Sequence, residues 1–263
     1  MSRRVVALDF DGVIADSAVE SFVIAIRTYV RLRPEGRLAQ FEAHLMDTTA
    51  QLIRRDALYR NFLEMMPLGN RAEDFGVVLG LLERDRKVDD QAAYDRARAA
   101  EPAEFLAEFH ALFYRLRADF QQADPENWCD WVGPYEPFVQ LLRPHSSAVT
   151  LCIATAKDRP SVEALLERYG LTDLFPAERV IDKEHGRSKR AHLETLRERL
   201  DVDFSEMTFV DDKYNHLEDV APLGVRCVLA AWGYNGPREQ RLADQAGYGV
   251  CDLDQAGDTV FLA

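Results

Sequence analysis

The stretch Val5-Val6-Ala7-Leu8-Asp9-Phe10-Asp11-Gly12-Val13-Ile14-Ala15-Asp16-Ser17 constrains this chain more than any other. A short apolar run stops in two carboxylates one residue apart, followed by glycine. Apolar runs of four to eight residues closed by a turn signal read as strands buried on both faces of a parallel sheet. Side chains at i and i+2 of a strand point the same way. Asp9 and Asp11 are therefore expected to lean into one small space at the strand's C-terminal end. Two carboxylates there repel each other unless a proton or cation intervenes. A calcium loop does not explain the pattern. Glu20 stands twelfth from Asp9, but Val13 and Ile14 fill the fifth and sixth positions, where such a loop wants Asp or Asn and then Gly. An acidic surface turn is the plainer alternative.

After this strand the pattern changes. Helical periodicity without a convincing strand runs from Ser17 to about Asp130, with helices expected over 19–31, 37–45, 50–66, 72–83, 90–100 and 103–121. Asp16 or Ser17 is a plausible N-cap for the first. From Val132 onward strands (148–154, 179–181, 207–210, 225–231, 249–251) alternate with helices (135–143, 161–169, 189–200, 215–222, 238–245). Such alternation implies right-handed crossovers and an α/β fold with a doubly wound parallel sheet. The expected organisation is a core of residues 1–16 and 132–263, interrupted by a helical insert over 17–131. An insert that leaves directly after the carboxylate-bearing loop is expected to sit over it as a lid.

At 263 residues the chain is long enough for two domains, and its 47% hydrophobic and 29% charged residues match an ordinary soluble globular protein. A net charge of −13 argues against a nucleic-acid partner. The arginines of 54–117 are interleaved with acids and read as solvated helix faces. Cys129, Cys152, Cys227 and Cys251 lack C-x-x-C spacing, and Cys152 and Cys227 lie in apolar runs, as core residues do. No stretch approaches the ~18 apolar residues of a membrane span, and no signal-peptide-like region opens the sequence. The expectation is a soluble, cytoplasmic protein with reduced thiols.

Ligands of open α/β sheets bind beyond the C-terminal ends of the strands. Those ends carry Asp9 and Asp11, then Thr155-Ala156-Lys157-Asp158, then Asp211-Asp212, while Lys189 opens the helix before 207–210. Hard oxygen ligands of this kind suit Mg²⁺. A carboxylate beside Mg²⁺ can attack phosphorus, and a second, two residues on, can protonate the leaving oxygen and deprotonate the attacking water. Thr155, with the N–H of Ala156 after it, can hold phosphate oxygens that Lys189 neutralises.

These residues resemble the haloacid dehalogenase (HAD) superfamily of Mg²⁺-dependent phosphohydrolases, with a helical cap inserted after the first motif. The stretch Asp9 to Ser17 is similar to the first motif, Thr155 to the second, Lys189 to the third and Asp211-Asp212 to the fourth. The resemblance covers the core, while the insert matches only in placement and helical character. It implies that Asp9 is the nucleophile and Asp11 the general acid/base, with Asp9, the Asp11 carbonyl, Asp211 and Asp212 around Mg²⁺. It also implies a small phosphorylated metabolite as substrate. Lys183 is an alternative to Lys189. Many relatives carry another acid four residues past the main metal ligand; from Asp212 that position is His216. His216 reads better as an N-terminal helix residue, and Asn215 could supply an oxygen instead. Lys157 reads equally as a substrate contact or a loop cap, and Asp158 as an N-cap or turn residue.

Asp11 argues against the dehalogenase branch, which lacks that acid. A phosphonate hydrolase of this architecture would use a cap lysine, and Lys87, the insert's one lysine, has an exposed, Arg-rich context. A phosphomutase of the same fold and a non-catalytic phosphometabolite-binding protein are the alternatives to a phosphatase. In the insert Arg54, Arg55 and Arg71 are conceivable anion contacts, each weighed against a solvated helix face. The sequence leaves open the substrate, the oligomeric state and which of Asp211 and Asp212 is the main metal ligand.

Overall fold

The apolar run that opens the sequence becomes an interior strand of a parallel sheet. A computed structural model describes residues 4–45, 48–69, 71–186 and 188–262. β1 (Val5–Leu8) is followed by the short β2 (Ala15–Asp16), which pairs antiparallel with β3 (Gly133–Pro134). The main sheet is completed by β4 (Thr150–Ala154), β5 (Val180–Ile181), β6 (Met207–Asp211), β7 (Arg226–Ala230) and β8 (Gly249–Cys251). Its order is β5-β4-β1-β6-β7-β8, with every pairing parallel. The winding direction reverses between β1 and β6, the kind of switch point that opens a crevice at the strands' carboxyl ends.

The chain divides into two compact units, Met1–Asp16 with Gly133–Ala263, and Ser17–Val132. The second is helical: α1 (Ala18–Leu32), α2 (Arg37–Leu45), α3 (Ala50–Arg55), α4 (Ala57–Met65), α5 (Ala72–Glu83), α6 (Gln91–Ala99), α7 (Ala103–Ala123) and α8 (Pro125–Trp131). The first unit adds α9 (Glu136–His145), α10 (Arg159–Arg168), α11 (Lys189–Leu200), α12 (Tyr214–Val220) and α13 (Pro237–Gln245) around the sheet. Among the described residues no helix is long and apolar enough to cross a membrane.

In the sheet unit, Val5, Ala7, Cys152, Ala154, Phe209 and Leu229 cluster with Leu193, Leu196 and Leu217. The alternate residues Val6, Leu8, Leu151, Ile153 and Val228 are buried as well. Burial on both faces is why these strands read as unbroken apolar runs rather than as alternation. Cys152 and Cys227 are core thiols, and none of the four cysteines forms a disulfide.

The structure departs from the sequence pattern at capping residues. The helix expected over 50–66 is two, because Asp56 is extended (φ −72°, ψ 142°) and accepts a hydrogen bond from Leu58 N at 2.7 Å, starting α4 afresh. α8, absent from the periodicity, is signalled by Asp124 accepting from Asn127 N with Pro125 in the first turn. Asp158 caps α10 by accepting from Ser161 N at 3.0 Å. Ser17 stands at the N-cap of α1 but makes no side-chain capping bond.

A charged pair joins α1 and α7 in the helical unit. Glu20 is fully buried and accepts two bonds of 2.6 Å from Arg117, whose guanidinium also lies over the Phe113 ring. Phe22 packs edge-on against Tyr59 and Phe62, with ring centroids 5.3 and 5.2 Å apart. Removing one partner of a buried pair strands the other charge, at a cost of about 3–5 kcal/mol. Arg117→Ala is therefore expected to lower the denaturant midpoint strongly, and Glu20→Gln in the same background to recover part of the loss.

A second prediction concerns acid. His192 on α11 is buried, with Nε2 3.0 Å from the Gly186 carbonyl. Burial, and then the nearby Lys189 ammonium, push its imidazole from 6.5 down to about 4. Between these values the unfolded chain binds the proton and the folded chain does not, so stability rises with pH. Thermal midpoints should fall as pH drops from 6.5 toward 4, and His192→Leu should flatten that part of the profile.

Candidate active site

The first acidic residue is fixed by the sheet. Asp9 N donates to Val210 O at 2.9 Å, extending the pairing of β1 with β6 by one residue. The chain then turns sharply. The amides of Ile14 and Ala15 both reach Phe10 O at 2.9 Å, and Gly12 N reaches Ala15 O at 2.8 Å. Gly12 adopts φ +84°, and a Cβ there would lie 2.4 Å from Asp212 Cγ. Only glycine fits this turn without displacing Asp212.

The two carboxylates expected to share one space have separate partners. Asp9 is buried, and its Oδ1 lies 2.7 Å from Lys189 Nζ and accepts from Phe10 N at 2.7 Å. Asp11, 31% exposed, takes Lys157 Nζ at 3.0 and 3.2 Å, while the Lys157 side chain is itself only 2% exposed. The required cations are thus supplied by two lysines from different segments.

Lys189, the first residue of α11, reaches inward. Its ammonium donates to Ala154 O at 2.8 Å and lies 2.7 Å from Asp9 Oδ1 and 3.3 Å from Asp211 Oδ2. Lys183, by contrast, is exposed in the 3₁₀ turn Lys183–His185. Thr155 is buried at the end of β4, and its Oγ1 accepts from Lys157 N at 3.1 Å. That turn leaves Ala156 exposed and directs Lys157 toward Asp11.

Asp211 and Asp212 diverge although adjacent. Asp211 accepts from Lys213 N at 2.8 Å and faces His216 Nδ1 at 3.1 Å from each oxygen. Asp212 Oδ2 accepts from Tyr234 N at 2.7 Å. Burial drives the Asp9 carboxyl up to about 6, with Lys189 opposing and the Asp211 charge adding. Burial also raises Asp212 to about 7, Lys213 opposing. At Asp211 burial is outweighed by His216 and Lys189, which hold it well below the ordinary carboxylate range. Burial disfavours the Lys189 ammonium, but Asp9 and Asp211 outweigh it and raise its pKa.

Asp9, Asp211 and His216 each offer a ligand atom, all within 4.8 Å of one another. Two buried carboxylates and an imidazole at that spacing fit a divalent cation. Asp11 and Asp212 are not in this group: the Asp11 carboxylate faces Lys157 Nζ, and Oδ2 of Asp212 accepts from Tyr234 N. His216, read from sequence as a plain helix residue, does lie in the first turn of α12, and its ring turns back to Asp211. Its position four residues past Asp212 was the available signal. Asn215 is exposed.

Sequence reasoning missed the segment after β7. Trp232 Nε1 donates to Val13 O at 3.1 Å, and Asn235 Nδ2 donates to Asp212 O at 3.1 Å. A Cβ on Gly233 would fall 2.3 Å from Asp212 Cβ and 2.4 Å from Gly12 O. This loop therefore braces both Asp212 and the Gly12 turn. Its signal was the aromatic and glycine cluster just past the end of a strand neighbouring β6. In the helical unit Arg54, Arg55 and Arg71 are exposed, and Lys87 pairs with Glu64 at 2.8 Å.

The family of haloacid dehalogenase-like hydrolases matches residues 3–218 of the sequence. The chain belongs to that family. Solved structures agree on the fold. A haloacid dehalogenase-like family hydrolase from Streptococcus pneumoniae is 12% identical, with a TM-score of 0.64 over 97% of this chain and 96% of that one. A predicted phosphoglycolate phosphatase from Haemophilus somnus is 15% identical, with a TM-score of 0.60 over 97% and 96%. A predicted phosphatase from Clostridium acetobutylicum is 13% identical, with a TM-score of 0.60 over the whole of both chains. At such identities the likeness shows the fold alone. No curated protein matches the sequence.

The packing around Asp212 yields a direct test on this haloacid dehalogenase-like hydrolase. Overpacking typically costs about 1–3 kcal/mol, so Gly233→Ala should lower the unfolding free energy by that order. Gly257→Ala should not, because a Cβ there meets only Leu141 Cδ2 at 3.9 Å. Denaturant titration of the two variants makes the comparison.

Proposed function

We propose that the protein is a Mg²⁺-dependent phosphatase that cleaves a small phosphomonoester through an aspartyl-phosphate. The observation that carries this reading is Asp9, buried at the β1/β6 switch point, with one oxygen held by Lys189 and Phe10 N. Its other oxygen, Oδ2, accepts neither bond and is the one left to attack. The Oδ2–P bond forms as the bond from phosphorus to the leaving oxygen breaks, and Asp11 gives that oxygen a proton. Asp11 then takes a proton from water, which attacks phosphorus, breaks the Asp9–P bond and releases phosphate. Partial exposure suits Asp11 to both transfers, and Lys157 keeps its carboxylate in place.

Asp9 and Asp211, with His216 beside them, would hold Mg²⁺; Asp212 and the Asp11 carbonyl complete the set that the resemblance implies. When bound, the ion supplies positive charge to a phosphoryl group approaching buried carboxylates. Lys189 adds a second positive charge, and Thr155 with the exposed Ala156 turn offers hydrogen bonds to phosphate oxygens. Phosphoglycolate, named for the Haemophilus structure, enters the substrate panel as one small phosphoester among several.

A phosphate-release screen over phosphorylated metabolites tests the reading. The wild type should release phosphate with Mg²⁺ and stop with EDTA. Asp9→Asn should abolish release, and Asp11→Asn should lower the rate by roughly 10²–10⁴, the usual range for general acid–base catalysis. Release undiminished in Asp9→Asn would exclude the mechanism.

A further inference from the structure

The helical unit contains a second feature with ligand-binding chemistry, independent of the carboxylate site. A depression of about 590 Å³ lies where α5, α6 and the start of α7 meet the residue that follows α1. That volume is within the usual 300–1,000 Å³ of small-molecule sites. Its lining carries the guanidinium groups of Arg33, Arg84, Arg86 and Arg96 and, as the one carboxylate among the described residues, Glu101. Val88, Ala97 and Pro102 add apolar surface.

Glu101 is committed within the protein. Its Oε2 accepts from Arg33 at 2.6 Å and its Oε1 from Arg84 at 3.0 Å. Burial raises its pKa, but the two arginines outweigh that and hold it charged. Arg33 is fixed further by stacking over the Phe105 ring, 3.7 Å from the centroid. Two guanidinium groups are therefore oriented in advance. Arg86 and Arg96 are exposed and have no side-chain hydrogen bond or ion pair with any described residue. Of the other acids close in sequence, none lines the depression; Asp85 is engaged by Arg37, Asp90 by Ala93 N and Asp95 by Gln91, while Asp89 is exposed.

The result is a concave cationic patch in a chain of net charge −13, with arginines preferred over lysine throughout. Guanidinium forks bind phosphate oxygens in pairs, which a point charge does not. The apolar lining would be left wet by inorganic phosphate and covered by a flat ring. The depression stands at the C-terminal end of α1, a helix of 15 residues, and so about 22 Å from Ala18 at 1.5 Å per residue. We propose that it binds an organic polyphosphate with an aromatic ring, a nucleoside di- or triphosphate. The arginines hold the phosphates and the apolar lining takes the base.

Calorimetric titration of the full chain with ATP in EDTA tests this, because binding is read without turnover. Saturable one-to-one binding is expected, weakened by added salt as exposed charges are screened. Arg86→Gln/Arg96→Gln should weaken it at least tenfold with an unchanged circular dichroism spectrum. Asp9→Asn should bind ATP as the wild type does. Pyrophosphate should bind at least tenfold more weakly than ATP. The proposal is overturned if ATP shows no saturable binding, or binds the double arginine variant unchanged. Binding lost in Asp9→Asn but kept in the arginine variant would assign ATP to the carboxylate site and overturn it too. Equal affinity for pyrophosphate and ATP would remove the base from the apolar lining.

Discussion

One ammonium group ties together the carboxyl ends of three neighbouring strands. Lys189 donates to Ala154 O at the end of β4, touches Asp9 just past β1 and approaches Asp211 at the end of β6. Two buried carboxylates and a carbonyl oxygen in so small a volume would repel without it. The lysine, in turn, would be costly to bury without them. Each group is tolerable only because the others are present. The arrangement also separates the behaviour of the acids: Asp211 is held charged, while burial lifts Asp9 and Asp212.

Much of this was legible in the sequence because it depended on chain-local rules. A strand buried on both faces announces itself as an apolar run, and its end is marked by the first polar residues. Reading those ends, and the start of the helix before 207–210, collected Asp9, Asp11, Thr155, Lys189, Asp211 and Asp212. In the structure Asp9, Thr155, Asp211 and Asp212 stand at or just past strand ends, Asp11 lies in the turn after β1 and Lys189 opens α11. Side-chain direction was less accessible. The i, i+2 rule put Asp9 and Asp11 in one space, but β1 stops at Leu8, and Asp11 belongs to a turn that follows different geometry. Lys157 and His216 depend on which way a side chain leaves its loop or helix, and that is decided by the packing of distant segments.

The loop from Trp232 to Asn235 shows the same limit in another form. Its role rests on steric exclusion, since the absence of side chains at Gly12 and Gly233 lets two backbones close on Asp212. Glycine in sequence says that something comes close; it does not say what. Capping is the converse case. Asp56 and Asp124 broke or created helices through single local hydrogen bonds, which apolar periodicity does not register.

The small antiparallel pair β2 and β3 has a consequence for how such a protein can change. Ala15 pairs with Pro134 and Asp16 with Gly133, so the chain leaves the sheet unit and re-enters it at neighbouring residues. A segment whose two ends are already joined closes a loop whose entropy grows only with the logarithm of its length. Lengthening, replacing or rebuilding that segment leaves the strand register of the sheet untouched. The carboxylate chemistry and the helical insert are thus free to diversify at different rates, with Asp16 and Gly133 as the seam between them.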